Sequence, residues 1–204
     1  MIQDDILVKE PLEYWQEILE EWIFINKRTY RITNKQLAPY GYKERTNIGV
    51  LADAAVKTGW IALEECRSEK IAKHDKSKTG HGRSDLLLWR DIRHDHVEAK
   101  LTRVSLKSPT LKRINTVFSK AKRDVMRTTK KIEKEEKLIA LTFIVPWVKK
   151  DVEYNDGEIE EFIIRIKKEI DPTIFVCVFP GKVELVGAAG KYGLGVILIG
   201  NHIS

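Results

Sequence analysis

The spacing of apolar positions changes along the chain, and each change marks an element. Residues 11–26, "PLEYWQEILEEWIFIN", place Trp15, Ile18, Leu19, Trp22 and Ile23 near helical spacing, and Pro11 suits a first helical turn. "APYGYK" (38–43) reads as a loop. Between 46 and 73, Ile48, Leu51, Ala52, Ala55, Val56, Leu63 and Cys66 share one broad face. That pattern predicts a single long helix, with Thr46 or Asn47 as its cap. "HDKSKTGHG" (74–82) is polar and contains glycine, which predicts a loop. Two strand-like runs follow, "SDLLLWR" (84–90) and "HVEAKLTRV" (96–104), joined by "DIRHD". A helix is predicted over 110–134, with Leu111, Ile114, Phe118, Ala121, Val125 and Ile132 as its apolar stripe. "LIALTFIVPWV" (138–148) is apolar throughout and predicts a buried strand. "KKDVEYNDG" (149–157) reads as a loop, and 158–170 as a helix that stops before Asp171-Pro172. "TIFVCVFP", "KVELVGA" and "GVILIG" predict the last strands.

Helices mixed with apolar strands in this order predict an α/β fold, a mixed central sheet flanked by helices. At 204 residues the chain fits one domain over 1–204. Within it, 1–45 reads as an N-terminal helical extension and 46–204 as the α/β core. No apolar stretch approaches the roughly 20 residues of a membrane span, so no membrane partner is expected. The acidic start, "MIQDDILVKEPLEYW", lacks the apolar run of a signal peptide. Cys66 and Cys177 are the only cysteines. Two isolated thiols fit a reducing cytoplasm better than a disulfide framework or a zinc site.

Charge adds a partner class. The net charge is +6 and the pI about 9.2. From Lys107 to Lys137 there are eleven Lys and Arg against four Asp and Glu, so this one segment carries all of the surplus. A solvated helix face would account for such a run, and so would contact with a nucleic acid.

The candidate chemistry lies in "GRSDLLLWRDIRHDHVEAKL" (82–101). Side chains alternate along a strand, so Glu98 and Lys100 point the same way while Val97, Ala99 and Leu101 form the opposite, apolar face. A four-residue turn at 91–94 would pair Arg90 with Asp95 and set Asp85 opposite Lys100. A five-residue turn would set Asp85 opposite Leu101 instead. Two neighbouring carboxylates repel unless a cation sits between them, and a divalent, oxygen-loving ion such as Mg2+ would serve. A lysine beside that ion could orient a bound water and stabilise charge developing at phosphorus. A cross-strand salt bridge at a sheet edge is the plainer explanation. Glu135-Glu136-Lys137 repeats the Glu-x-Lys pattern in what reads as the charge-rich end of a helix.

"GRSDLLLW" followed by "HVEAK" resembles the PD-(D/E)XK nuclease superfamily, whose members include restriction endonucleases and Holliday-junction resolvases. The resemblance covers roughly residues 47–148, and Ser84 stands where the nominal motif has proline. It implies a restriction-endonuclease-like core of helix, three strands, helix and strand. It implies catalytic roles for Asp85, Glu98 and Lys100, with Asp85 and Glu98 as ligands of Mg2+, or of Mn2+ in its place. It further implies an acidic residue on the first helix, which falls in "WIALEECRSEK" on Glu64 or Glu65, with Glu64 preferred. Lys120, Lys122 and Arg123, on the basic helix after the hairpin, become candidates for phosphate contacts, and Lys120 for a place in the active site itself.

Other signals carry less. His94-Asp95-His96 resembles a metal-binding pair but has no further histidine at matching spacing. "GAAGKYGLG" (187–195) precedes a strand pattern rather than the helix that a nucleotide loop must open, so it reads as a hairpin connection. The expectation is therefore a Mg2+-dependent endonuclease acting on DNA, of restriction or phage-defence type by family analogy. A catalytically inactive DNA-binding or regulatory protein of the same fold, and a ribonuclease, stand as alternatives. Double-strand cutting usually requires two sites, which leaves a homodimer open.

Overall fold

A computed structural model of the chain describes residues 2–71, 79–128 and 136–203. Its elements, in order, are β1 (Asp5–Val8), α1 (Gln16–Ile32), α2 (Glu44–Lys57), β2 (Ile61–Ile71), β3 (Thr79–Arg90), β4 (Arg93–Ser105), α3 (Leu111–Val125), β5 (Glu136–Lys149), α4 (Asp156–Ile170), β6 (Ile174–Val178), β7 (Val183–Glu184), β8 (Lys191–Gly193) and β9 (Val196–Ile203). The main sheet runs β1-β6-β9-β5-β4-β3-β2, and the short β7–β8 hairpin joins it through β5. Among the described strands only β4 and β5 are parallel, joined by α3 as the crossover; the other pairings are antiparallel. The fold is thus α/β, with a mixed sheet flanked by four helices.

The sheet is buried on both faces at its centre. From Leu138 to Pro146 every residue of β5 is buried. Ile139, Leu141, Phe143 and Val145 point towards α1 and α2 with Trp15, Trp22, Leu51 and Ala55. Leu138, Ala140 and Ile144 point towards α3 and α4 with Ile114, Phe118, Phe162 and Ile166. This explains the uninterrupted apolar run at 138–148, because a strand covered on both sides needs no polar face. Among the described residues no helix is long and apolar enough to cross a membrane.

Several elements differ from the sequence expectation. The predicted helix over 46–73 ends at Lys57. Gly59 takes a left-handed conformation (φ 85°), its N–H donates to the Val56 carbonyl, and the chain continues as β2. Helix formers such as Glu64 and Glu65 therefore lie in a strand. β2 is an edge strand with much of its surface open to water, so its sequence lacks the alternation that identifies a half-buried strand. Residues 79–82 extend β3 rather than the loop predicted over 74–82, and 72–78 lie outside the described residues. The helix predicted over 110–134 is observed as α3, which ends at Val125; residues 129–135 lie outside the described residues. Glu136 and Lys137 open β5 rather than closing a helix. The N-terminal segment is not purely helical, because Asp5–Val8 pairs with β6 at the sheet edge and α1 lies in the main core. Pro11 precedes a short 3-10 turn at Glu13–Trp15 and is not part of α1.

The β3–β4 turn has two residues, Asp91 and Ile92, with Arg90 paired to Arg93 and Asp91 at φ 56°. The four-residue turn is therefore incorrect, but it misses by an even number of residues. The observed register, Leu88↔Asp95 and Leu86↔Val97, extended by one residue sets Asp85 opposite Glu98. Asp85 thus shares a face with Glu98 and Lys100. The opposite face of β4 buries Asp95 completely. Tyr14 donates its hydroxyl proton to that carboxylate (2.8 Å to Oδ1), and Trp15 donates its indole N–H (2.8 Å to Oδ2). Burial pushes the Asp95 carboxyl up to about 6, against the pull of these two hydrogen bonds.

Candidate active site

β3 and β4 part at Asp85. Their pairing stops at Leu86↔Val97, whereas β3 stays paired with β2 out to Thr79 and β4 stays paired with β5 out to Ser105. The outer half of the β2–β3 hairpin leaves the sheet as a wing, and β4 loses its neighbour on that side. Buried backbone N–H groups must find other acceptors, and here two carboxylates supply them. Ala99 donates its N–H to Asp85 Oδ2 (2.8 Å), and Leu101 donates its N–H to Glu44 Oε2 (2.7 Å). Each is a charge-assisted bond, which fixes the carboxylate more firmly than a neutral partner would. The other oxygens, Asp85 Oδ1 and Glu44 Oε1, accept no hydrogen bond from the described residues.

Glu44 arrives from the first turn of α2, where a carboxylate also suits the helix dipole. Asn47 anchors that turn by donating its side-chain N–H to the Pro39 and Lys43 carbonyls. Lys100 lies between the acids. Its ammonium donates to the Ala99 carbonyl (2.7 Å) and to Asp85 Oδ2 (3.4 Å), and it lies 3.6 Å from Asp124 Oδ2 of α3. Glu98 is 4% exposed and ion-paired with Lys70, from the outer end of β2.

Electrostatics assigns these groups their states. Burial pushes Glu98 above the usual carboxylate range; the hydrogen bond from Lys70 opposes this, and the Asp85 charge adds to it. Burial likewise raises Glu44, with the Lys100 charge opposing. For Lys100, burial alone would lower the pKa, but Asp85, Glu44, Glu98 and Asp124 together outweigh burial and the net shift is upward. Lys100 is therefore a firmly protonated cation, suited to stabilising negative charge rather than accepting a proton.

The sequence-predicted residues divide. Asp85, Glu98 and Lys100 come together, as alternation requires. Glu64 and Glu65 lie on β2, not on a helix, which corrects their assignment as the first-helix acid. Glu64 opposes Leu86, a core residue on the face away from Asp85, and lines an open groove of about 650 Å³ with Asp53 and Arg45 of α2. Glu65 is held at φ 53° and pairs with Arg83 (3.2 Å). Lys120, Lys122 and Arg123 point in three directions. Lys120 shares a helical face with Asp124 and acts on the Glu44 charge. Lys122 lies over the Phe118 ring (4.3 Å), and burial lowers its pKa. Arg123 lines a groove between α3 and α4 with Lys112, Ser119 and Glu169. His94 lies edge-on to Trp89 and 3.6 Å from Glu136, while burial lowers the pKa of His96.

Three residues of the cluster escaped the sequence reading. Glu44 stands two positions before the predicted start of its helix. Asp124 is the single acid of α3, i+4 from Lys120, and an acid isolated in a basic helix is a readable signal. Lys70 falls in a stretch read as helix, and no signal in the sequence points to it.

Oxygen ligands on Asp85, Glu98 and Glu44 are the donor chemistry that Mg2+ or Mn2+ takes. Among the described residues, no three His, Cys, Asp or Glu side chains converge as a ready-made cage. Magnesium binds through one or two carboxylates completed by water and substrate phosphate, so a partial set is what it requires of a protein. No family model, no curated protein and no solved structure matches this chain.

Proposed function

We propose that the chain is a metal-dependent nuclease that hydrolyses phosphodiester bonds in DNA. The observation that carries the reading is the convergence of Asp85, Glu98 and Lys100 with Glu44 at the point where β3 leaves β4. The element order α2–β2–β3–β4–α3–β5 is also the helix, three strands, helix and strand that the resemblance implies, with Glu44 taking the first-helix position once assigned to Glu64.

Asp85, Glu98 and Glu44 would hold the ion, which when bound polarises the phosphoryl group and lowers the pKa of a coordinated water. Lys100 holds a fixed positive charge beside these carboxylates and stabilises the negative charge that builds on the phosphoryl oxygens. The hydrogen bonds from Ala99 and Leu101 hold Asp85 and Glu44 in position before any substrate arrives. Lys120 adds a phosphate contact next to Glu44.

A second reading, a nuclease-fold DNA-binding protein without catalysis, is favoured by the ion pair that engages Glu98 with Lys70. One experiment separates the two. Purified protein is incubated with supercoiled plasmid, linear DNA and RNA, each with Mg2+, Mn2+ or a chelator, beside Glu98→Ala and Lys100→Ala. Metal-dependent cleavage of DNA, lost in both variants, supports the nuclease. Cleavage of RNA alone moves the substrate assignment. Binding of DNA without cleavage under either metal selects the second reading, and equal cleavage by the variants removes these residues from the mechanism.

A further inference from the structure

We propose that Lys70 occupies the cation seat on Glu98, and that its ammonium must swing off that carboxylate before a divalent ion can be taken. The inference rests on the metal-dependent reading, because it concerns the same carboxylate.

The position of Lys70 is built. It opposes Gly80 on β3, and its aliphatic stem crosses β3 over Gly82 to reach β4. A Cβ at Gly82 would lie 2.7 Å from both Cγ and Cδ of Lys70, closer than atoms pack, so the path exists only because residue 82 has no side chain. The backbone at this end of β2 is tied down. Ile71 donates its N–H to the Arg127 carbonyl (2.7 Å), and the Arg127 guanidinium donates to the Ile71 carbonyl (2.9 Å from Nη2). Lys70 itself bridges to Thr128. Both members of the pair are nearly buried, with side chains 12% exposed for Lys70 and 5% for Glu98. An ion pair with this burial and a prepared path is not a chance surface contact.

Charge balance explains why an internal cation is there. Glu44, Asp85, Glu98 and Asp124 bring four negative charges to the cluster, and Lys100 supplies one positive charge. Without Lys70 the buried Glu98 would lie next to Asp85 with only the Lys100 charge, shared with Asp85, Glu44 and Asp124, to offset it among the described residues. Lys70 neutralises it in the metal-free protein. An ammonium is a monovalent charge with three donors and no coordination geometry. It holds the carboxylate through Oε1 and repels a divalent ion that approaches the same group, so the two compete for it. Departure of the ammonium leaves the cluster more negative, which favours the incoming ion.

The test is calorimetric titration of the full chain with Mn2+ in the absence of nucleic acid, with thermal unfolding as the check that each variant folds. Lys70→Met removes the competing cation. Gly82→Ala keeps every charge but obstructs the stem. Lys120→Met removes a nearby charge that does not touch Glu98 and reports the general field effect. The expected result is Mn2+ affinity about tenfold tighter for Lys70→Met, the factor that corresponds to about 1.4 kcal/mol. Gly82→Ala should shift in the same direction, Lys120→Met less than Lys70→Met, and Glu98→Gln should lose binding. Wild-type affinity in Lys70→Met, or a gain matched by Lys120→Met with Gly82→Ala unchanged, overturns the proposal and leaves the metal-dependent reading standing. Mn2+ binding to none of the proteins overturns both.

Discussion

Replacing Asp95 by asparagine should change how stability depends on pH, by a calculable amount. Asp95 is fully buried, is hydrogen-bonded by Tyr14 and Trp15, and has a pKa pushed by burial from its ordinary 3.8 up to about 6. Between those two values the folded protein holds a proton that the unfolded chain has released, so stability falls as pH rises through this window and levels off above pH 6. The full span, about two pKa units, corresponds to about 3 kcal/mol, of which about 1.4 kcal/mol is recovered on going from pH 7.5 to 5. Asparagine has the shape of the protonated acid and no charge to bury, so its stability should lack this slope. The assay is urea unfolding of wild type and Asp95→Asn at pH 4.5, 5, 6, 7 and 7.5. The wild-type minus variant difference is taken at each pH, so that Glu98, Glu44 and the histidines cancel. The wild type should gain on the variant as pH falls, most steeply below pH 6. A difference that is flat across the range, or that grows with rising pH, refutes the reasoning and places the ionised Asp95 in a site that stabilises its charge.

Glu44→Gln and Lys100→Met should each lower metal-dependent cleavage roughly a hundredfold or more, whereas Glu64→Ala should leave it within about twofold, since Glu64 faces away from the cluster; initial rates on plasmid under single-turnover conditions decide this. Lys120→Ala should weaken DNA binding and reduce the slope of log affinity against log salt by about one, while Arg123→Ala, on the groove towards α4, should do neither; fluorescence anisotropy at several salt concentrations reads both. Gly59→Ala should cost about 1 kcal/mol by denaturant unfolding, because Gly59 sits at positive φ with open space around it, so the penalty is in the backbone and not in packing.

The central sheet and three of the four helices were legible because their burial is one-sided or complete. The apolar stripe of α3 and the unbroken run of β5 follow directly from the surfaces they face. β2 was not legible. Its residues are partly solvated on both faces, so no period of two is imposed on them, and local helix propensity wins the reading. Thr58-Gly59 was the available stop signal. Because β2 reads as helix, the acid that the resemblance implies on the first helix is sought at Glu64, one element past the Glu44 of α2. The shared face of Asp85, Glu98 and Lys100 is legible because alternation is insensitive to turn length within one parity. Lys70 could not be inferred, because its role depends on a stem crossing Gly82, a through-space relation that no spacing along the chain encodes.

The two-residue turn at Asp91-Ile92 has a consequence for how the chain tolerates insertion. β4 is anchored to β5 by register from His94 to Ser105, so an inserted residue that keeps the turn at two residues slides β3 by one position. A lineage that gained one residue there would keep its apolar runs, its charge and every residue of its motif, yet Asp85 would rotate into the helical core and its place beside Glu98 would pass to an apolar neighbour. Two inserted residues would return an acid to the correct face one step along. Loop-length variation that keeps the tight turn should therefore be quantised in even steps among proteins that retain the Asp85–Glu98 juxtaposition, and an odd step would mark a descendant that kept the fold and lost it.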